Sequence, residues 1–237
     1  MKPLYSLALP LALAILGSLS ATRADTILLS DDFSGASLDA TKWTAILPYS
    51  SSSVVQSGGT ATTTGRGILA TVDGYSEPYV INGAFTMLAD WEHFNIAFRT
   101  DLSTTGAPYY EVRGTLVSFS NDSNEISIQE RYTASDWNRI ANISFNLNTG
   151  QTYFFRITDT GSEISLAVNG ITELTAQSAY STGDQIAFYS REFPFTATSI
   201  DTITITSVPD AGITVLYLGL TLPLLAFLNR RKRVSTS

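Results

Sequence analysis

Two glutamates five positions apart, Glu125 and Glu130, are the residues of this chain that most suggest acid–base chemistry. A pair of carboxyl groups can hydrolyse a glycosidic bond with retention when the groups lie about 5–5.5 Å apart. The segment between them has the alternation of a strand, so Glu125 shares a face with Ser127 while Glu130 lies on the other face. Unless a β-bulge brings the two together, the segment predicts an ordinary strand with a polar outer face.

Other catalytic chemistries lack their usual residues. The chain contains one histidine, His93, and no cysteine, which removes the usual thiol nucleophile and most transition-metal ligand sets. No serine-elbow motif accompanies His93, and the glycines at 65 and 67 lack the rest of a phosphate loop. We therefore expect a protein that is not an enzyme.

Aromatic side chains beside polar groups are the usual contacts for sugars. Aromatic residues on the strands of a sandwich more often belong to the core, which is the alternative for each candidate. Five aromatic residues in predicted loops or near strand ends are candidate ligand contacts: Trp91, Tyr109, Tyr110, Tyr132 and Trp137.

The middle of the chain is strongly acidic. The full chain has a net charge of −7, but residues 25–207 contain eight basic and twenty acidic residues and so carry −12. Because such a domain repels phosphate backbones, nucleic acid is not an expected partner.

The N-terminal segment, residues 1–24, predicts a signal peptide. Lys2 provides the positive start, residues 7–16 form an apolar stretch, and small residues near Ala24 fit cleavage by signal peptidase. An uncleaved membrane anchor is the alternative, but the apolar stretch is short and Pro10 interrupts it. We therefore expect an exported protein.

The C-terminal segment, residues 207–237, predicts a membrane-spanning helix. Residues 211–228 carry no charge and are just long enough to cross a hydrocarbon core of about 30 Å as a helix. The basic cluster that follows would stay in the cytoplasm, which places the folded domain outside. A permanent single-span anchor is one interpretation. The cluster consists of Arg230, Arg231, Lys232 and Arg233.

A more specific interpretation comes from the motif that begins this tail. Motif, apolar helix and basic cluster together resemble the sorting segment of PEP-CTERM proteins, in particular the variant that begins Val-Pro-Asp-Ser-Gly, with Ala211 in place of the serine. The resemblance implies recognition by an exosortase, a membrane protease that removes the tail. It also implies delivery from the inner membrane to the cell surface or an extracellular polysaccharide matrix. The motif residues are Val208, Pro209, Asp210, Ala211 and Gly212.

The central region, residues 25–206, predicts an all-β domain. Residues 153–158 and 164–168 alternate between apolar and polar around a turn, which predicts a hairpin with one buried face. The Ser/Thr/Gly-rich stretch 50–67 predicts an exposed loop or a weak edge strand. Many strands at short spacing, with no sustained helical period, favour a sandwich or jelly roll. The further strand candidates are 26–30, 79–87, 94–100, 109–119, 125–132, 140–147, 185–190 and 200–206.

Three pieces of this pattern resemble the concanavalin A-like, laminin-G-like superfamily: the opening at 31–43, the hairpin at 153–170 and the closing strands at 183–205. The resemblance implies a jelly-roll sandwich of two antiparallel sheets and a function in binding or cleaving carbohydrate. Residues 125–130 are similar to the Glu-x-Asp-x-x-Glu strand of laminarinase-type glycoside hydrolases. There the two glutamates act as nucleophile and acid/base, but Ser127 stands here in place of the aspartate.

The same resemblance implies a structural calcium ion between the opening aspartates and the closing strand. Asp31, Asp32 and Asp201 would be its ligands, and an all-oxygen set suits calcium. The alternative is that Asp31 caps a turn and Asp201 faces solvent. No other cofactor is expected.

Three functional hypotheses follow. The leading one is a non-catalytic, surface-sorted sandwich that binds or lies within extracellular polysaccharide, and it predicts exposed aromatics along a concave sheet. The second is a glycoside hydrolase that uses Glu125 and Glu130, which predicts that both converge in a cleft. The third is a structural envelope protein with no ligand site, which predicts neither feature.

Overall fold

The computed structural model describes residues 25–102, 112–133, 136–191 and 197–208. The predicted signal peptide, the motif from Pro209 onward, the helix 211–228 and the basic cluster lie outside these residues. Within the described ranges no helix is long and apolar enough to cross a membrane. The strands of these ranges are β1 (Ile27–Asp31), β2 (Trp43–Ile46), β3 (Ser53–Ser57), β4 (Thr60–Thr64), β5 (Ile68–Thr71), β6 (Tyr79–Met87), β7 (His93–Thr100), β8 (Gly114–Ser120), β9 (Glu125–Arg131), β10 (Trp137–Ser144), β11 (Thr152–Asp159), β12 (Glu163–Val168), β13 (Ile171–Gln177), β14 (Gln185–Ser190) and β15 (Ala197–Ser207).

The strands form two antiparallel sheets. Sheet A has the order β13-β12-β11-β6-β15-β4-β3, and β1 pairs with the C-terminal half of β15. Sheet B has the order β10-β9-β8-β7-β14-β5-β2. Because many neighbours in a sheet are far apart in sequence, the chain crosses repeatedly between the sheets, as in a jelly roll. The predicted all-β class is confirmed.

The core lies between the two sheets and is rich in aromatic rings. Phe94, Ile96 and Phe98 alternate along β7 and are fully buried. The ring of Phe85 on sheet A lies 4.6 Å from that of Phe94 and 4.7 Å from that of Phe119, both on sheet B. Burial of each such side chain contributes about 1.5–3 kcal/mol, so this layer is a principal source of stability.

The predicted hairpin forms as β11 and β12. Phe155 pairs with Val168, and the apolar residues of both strands face the core. Gly83 on β6 lies beside this hairpin in the same sheet, between Phe155 of β11 and Ile203 of β15. A Cβ atom there would come within 2.6 Å of Phe155 and 2.7 Å of Ile203. Only glycine therefore allows these two side chains to pack at that depth.

The central strands of sheet B are buried on both faces. All seven residues of β8 are buried, so the side turned away from sheet A is also covered over much of its area. We call that side the outer face of sheet B. Its half near β5 and β14 is apolar, while its half near β9 and β10 is polar. The buried apolar residues of the outer face are Ile68, Ala70, Ala97, Leu102, Val112, Leu116, Ala187 and Tyr189.

Candidate functional site

Glu125 is the first residue of β9 and lies on the outer face of sheet B. Its carboxylate is 3.0 Å from Nη1 of Arg139, with which it forms an ion pair. Asn142 donates a hydrogen bond from Nδ2 to the same carboxylate at 3.2 Å. Both partners come from β10, which is the edge strand of the sheet. Glu125 is thus held by two side chains and oriented along the sheet edge.

Glu130 lies on the opposite side of β9. It accepts a hydrogen bond from Oγ of Ser178 at 2.6 Å and another from the hydroxyl of Tyr132. Ser178 follows β13, the edge strand of sheet A. Glu130 therefore occupies the rim between the two sheets.

The structure does not bring the two glutamates together. β9 pairs with β8 without a register shift from Arg131, opposite Gly114, to Glu125, opposite Ser120. Five residues of regular strand separate the two carboxylates by about 17 Å along the strand, in addition to their placement on opposite faces. The bulge in this region falls in β10, between Arg139 and Ala141. It bends the edge strand and does not move either glutamate to the other's face.

The exposed part of the outer face lies along the edge strand β10. Trp137, predicted in a loop, is instead the first residue of β10, and it is 41 % exposed. The guanidinium of Arg139 lies 5.6 Å from the centre of the Trp137 ring, a cation–π contact. Trp137 pairs across the strands with Arg131, so both side chains lie on the same face. We call this surface the edge patch, formed by Glu125, Arg131, Trp137, Arg139 and Asn142.

A second group of polar aromatic residues lies beside the edge patch, at the β9–β10 turn. The rings of Tyr132 and Tyr180 meet edge to face with their centres 4.6 Å apart. The hydrogen bond to Glu130 raises the pKa of Tyr132, and burial raises the pKa of Tyr180. Both phenols therefore stay protonated at neutral pH, and Tyr132 donates its hydroxyl hydrogen to Glu130.

Trp91 lies away from the edge patch. It is 72 % exposed and has a positive φ of 63° in the connection between β6 and β7. The neighbouring His93 pairs with Ser120 at the end of β8, whereas Arg131 of the edge patch pairs with Gly114 at the start of β8. Trp91 therefore lies near the opposite end of β8 from the edge patch. The predicted aromatic contacts therefore do not form one surface. Tyr109 and Tyr110 lie outside the described residues.

The opening aspartate is engaged by the protein itself. Asp31 accepts hydrogen bonds from Nε1 of Trp43 and from the backbone N–H of Phe33, both at 2.8 Å. Asp32 accepts from the N–H of Ser34, and Asp201 accepts from the hydroxyl of Ser199 at 3.3 Å. Among the described residues no group of three or more His, Asp or Glu side chains is arranged to hold a metal ion. Both Asp31 oxygens accept hydrogen bonds from the protein itself. Calcium at these three aspartates stays a prediction.

A shallow depression of about 480 Å³ lies on the face of sheet A that is turned away from sheet B. Phe154, which is 62 % exposed, forms one wall, and Arg156 and Asn82 supply polar atoms. None of the residues predicted from the sequence lines it.

Comparison with known proteins identifies the fold. No family model and no curated protein matches the chain. A carbohydrate-binding module, CBM66 from Bacillus subtilis, is 13 % identical over 70 % of this chain and 96 % of its own, with a TM-score of 0.56. A Bacillus licheniformis β-glucanase is 10 % identical over 78 % of this chain and 100 % of its own, with a TM-score of 0.59. A Bacillus subtilis protein with a galectin-like fold is 10 % identical over 77 % of this chain and 96 % of its own, with a TM-score of 0.61. The described domain is therefore a concanavalin A-like jelly-roll sandwich of two antiparallel sheets.

Proposed function

We propose that this chain is an exported, exosortase-sorted surface or matrix protein whose sandwich binds polysaccharide without cleaving it. The edge patch carries the binding part of this proposal. Trp137 presents a partly exposed indole, and Arg139 and Glu125 hold charged hydrogen-bonding groups beside it. A sugar ring stacks on an aromatic face while its hydroxyls bond to neighbouring polar groups, and the patch offers both kinds of contact.

The similar structures support an association with carbohydrate. They include a carbohydrate-binding module and β-glucanases, so the fold alone is compatible with both binding and hydrolysis. The positions of Glu125 and Glu130 favour binding. Glycosidases need their carboxyl groups about 5–9.5 Å apart, and these two lie on opposite faces of one regular strand.

The two chain ends support export and sorting. Residues 1–24 have the layout of a signal peptide, and residues 207–237 have the three-part layout of a sorting tail. The last strand ends at Ser207, and the Val208 N–H donates a hydrogen bond to the Pro78 carbonyl at 3.0 Å. Removal of the residues after Val208 would leave every strand of the sandwich intact.

Affinity electrophoresis of the full-length protein tests the binding function. Its migration would be compared in gels that contain laminarin, a β-1,3-glucan, and in gels that contain extracellular polysaccharide from the host. We expect retardation of the wild type, and a loss of affinity of about tenfold in Trp137→Ala because a stacked aromatic side chain is removed.

Phe154→Ala is the matched control. Phe154 is also an exposed aromatic residue, but it lies on the outer side of sheet A, so its replacement is expected to leave the retardation unchanged. Wild-type protein that migrates freely in every polysaccharide gel would contradict the proposal. An equal loss of affinity in both variants would show that the edge patch is not the binding surface.

A further inference from the structure

Arg131 is a buried cation for which the described residues supply no side-chain hydrogen bond or ion pair. It is the last residue of β9, and its pairing with Gly114 and Trp137 places it on the outer face of sheet B. Arg131 is 4 % exposed, and its Nε atom is buried without a hydrogen-bond partner. No carboxylate in the described part of the chain forms an ion pair with it. A buried charge in this condition is unfavourable unless a ligand completes it.

The other buried arginine of the domain shows the contrast. Arg99 is bonded to Asp159, lies 3.1 Å from a Glu77 oxygen, and donates to the Ser178 carbonyl at 2.9 Å. The fold thus supplies a complete set of acceptors where an arginine has a structural role. Among the residues that the structure describes, Arg131 receives no such set of acceptors, which leaves its guanidinium open to an acceptor on a ligand.

The surroundings of Arg131 are locally basic in an acidic domain. Arg113 immediately precedes Gly114, the cross-strand partner of Arg131, and Arg139 follows on β10. Three of the eight basic residues between 25 and 207 therefore lie at this end of sheet B. The carboxylates nearby do not neutralise Arg131, because Glu125 is paired with Arg139 and Glu130 faces the opposite side of β9. Asp136, in the β9–β10 turn, forms no ion pair in the described ranges.

We propose that the edge patch recognises an acidic polysaccharide and that Arg131 binds the carboxylate of a uronic acid residue. This inference rests on the proposed polysaccharide-binding function. The planar guanidinium presents paired N–H groups that match a carboxylate, which makes arginine suited to such a contact. Gly114, directly across the strand, adds no side chain of its own beside the guanidinium. Trp137, the other cross-strand neighbour, offers a ring surface for the adjoining sugar.

Two polymers with the same backbone and different charge test this inference. Full-length wild-type protein would be assayed by affinity electrophoresis against polygalacturonate and against fully methyl-esterified polygalacturonate, with laminarin as the neutral reference. We expect binding to polygalacturonate to be at least about tenfold tighter than to its methyl ester, because esterification removes the charged acceptor.

Arg131→Gln is expected to remove this preference, so that the variant binds polygalacturonate and its methyl ester about equally. Arg156→Gln makes the same change in net charge on the outer side of sheet A and is expected to keep the preference. The melting temperature of Arg131→Gln is expected to equal or exceed that of the wild type, since the variant loses an unpartnered buried charge. If Arg131 had a structural role, the substitution would lower the melting temperature instead.

The outcomes separate this inference from the proposed function. If the wild type binds polygalacturonate and its methyl ester equally, the uronate assignment fails while polysaccharide binding stands. If dextran sulfate binds more tightly than polygalacturonate, the ligand group is a sulfate and the uronate assignment also fails. If no polysaccharide binds, both proposals fail. Should Arg131→Gln not fold, the comparison of the two polymers on the wild type still decides.

Discussion

Arg99 of sheet B and Asp159 of sheet A form an ion pair in the interior of the sandwich, where their side chains are 1 % and 0 % exposed. Nε of Arg99 donates to Oδ2 of Asp159 at 2.7 Å, and Nη2 donates to Oδ1. Arg99 has a positive φ of 56° where the register of β7 against β14 shifts. This bulge turns Arg99 into the interior beside Phe98, which is already part of the core. The pair therefore ties the two sheets together.

Replacement of one member of this pair is expected to be strongly destabilising. Asp159→Asn keeps the shape of the side chain but leaves Arg99 without its main counter-charge, and we expect a loss of about 3–5 kcal/mol in the free energy of unfolding. Urea denaturation measures this loss. Asp39→Asn, at an exposed ion pair with Lys42, is the control and is expected to change stability little. A loss below about 1 kcal/mol in Asp159→Asn would show that the pair does not support the fold.

The stability of the domain is expected to fall as the pH rises towards neutrality because of Glu92. This carboxyl is fully buried, accepts a hydrogen bond from Ser190 at 3.0 Å and one from Thr198, and leaves Oε2 without a partner. Burial, partly opposed by the two hydroxyls, raises the pKa of Glu92 from 4.5 to about 7. The folded state therefore holds this proton more tightly than the unfolded state does.

The direction and the size of the effect follow from that difference. The contribution of Glu92 is fully present below pH 4.5, decreases between pH 4.5 and 7, and is lost above pH 7, a change of about 3 kcal/mol. Glu92→Gln imitates the protonated form and is expected to be more stable than the wild type at pH 8. Urea denaturation from pH 4 to pH 8.5 measures the slope. Glu163→Gln, at an exposed position on β12, is expected to keep the slope of the wild type, and an unchanged slope in Glu92→Gln would contradict this account.

Local sequence signals predicted some elements of the fold and not others. The β11–β12 hairpin was predictable because alternation and turn residues lie within twenty positions of each other. The stretch 50–67 was predicted as a loop or weak edge strand, and it does contain β3, the edge strand of sheet A. It also contains β4, an inner strand in which Ala61 is fully buried, and this second strand was not predicted. β4 is stabilised by β15, more than 130 residues away, and no local pattern reports such a partner.

The candidate site was also only partly predictable from local sequence. Tyr132 was a candidate contact at a predicted strand end and Trp137 one in a predicted loop, and the structure places Tyr132 just after β9 and Trp137 as the first residue of β10. Tyr180 and Ser178 were missed because they follow β13 on the other sheet and meet Glu130 and Tyr132 only after the sandwich closes. The unpartnered state of Arg131 also could not be predicted, since it depends on which carboxylates the two sheets bring near it.

The full-length protein is expected not to hydrolyse β-glucans. Glu125 is engaged by Arg139 and Asn142, and Glu130 by Ser178 and Tyr132, so neither carboxylate is directed towards the other. Incubation with laminarin and measurement of reducing ends would test this, with an active laminarinase as the positive control. Release of reducing ends that is abolished in both Glu125→Gln and Glu130→Gln would show that the two glutamates cooperate after all, and it would restore the hydrolase hypothesis.

Cleavage of the tail is expected to occur beyond the last residue that the sandwich holds. The Ser207 N–H donates to the Thr26 carbonyl at 2.9 Å and the Val208 N–H donates to the Pro78 carbonyl, so the chain is fixed to the domain as far as Val208. A protease that recognises residues 208–212 needs an accessible, extended backbone, which favours a cut after this anchored end.

Intact mass measurement of the native protein, with and without the host exosortase, tests the sorting proposal. With the exosortase present, we expect the mass of a chain that lacks residues 1–24 and everything after about Val208, and we expect that chain outside the inner membrane. Without it, we expect the tail to be retained and the protein to stay in the membrane, because residues 211–228 are apolar and long enough to span it. If the tail were retained in both strains, the protein would be a permanently anchored β-domain. Polysaccharide binding would then have to be judged on the edge patch alone.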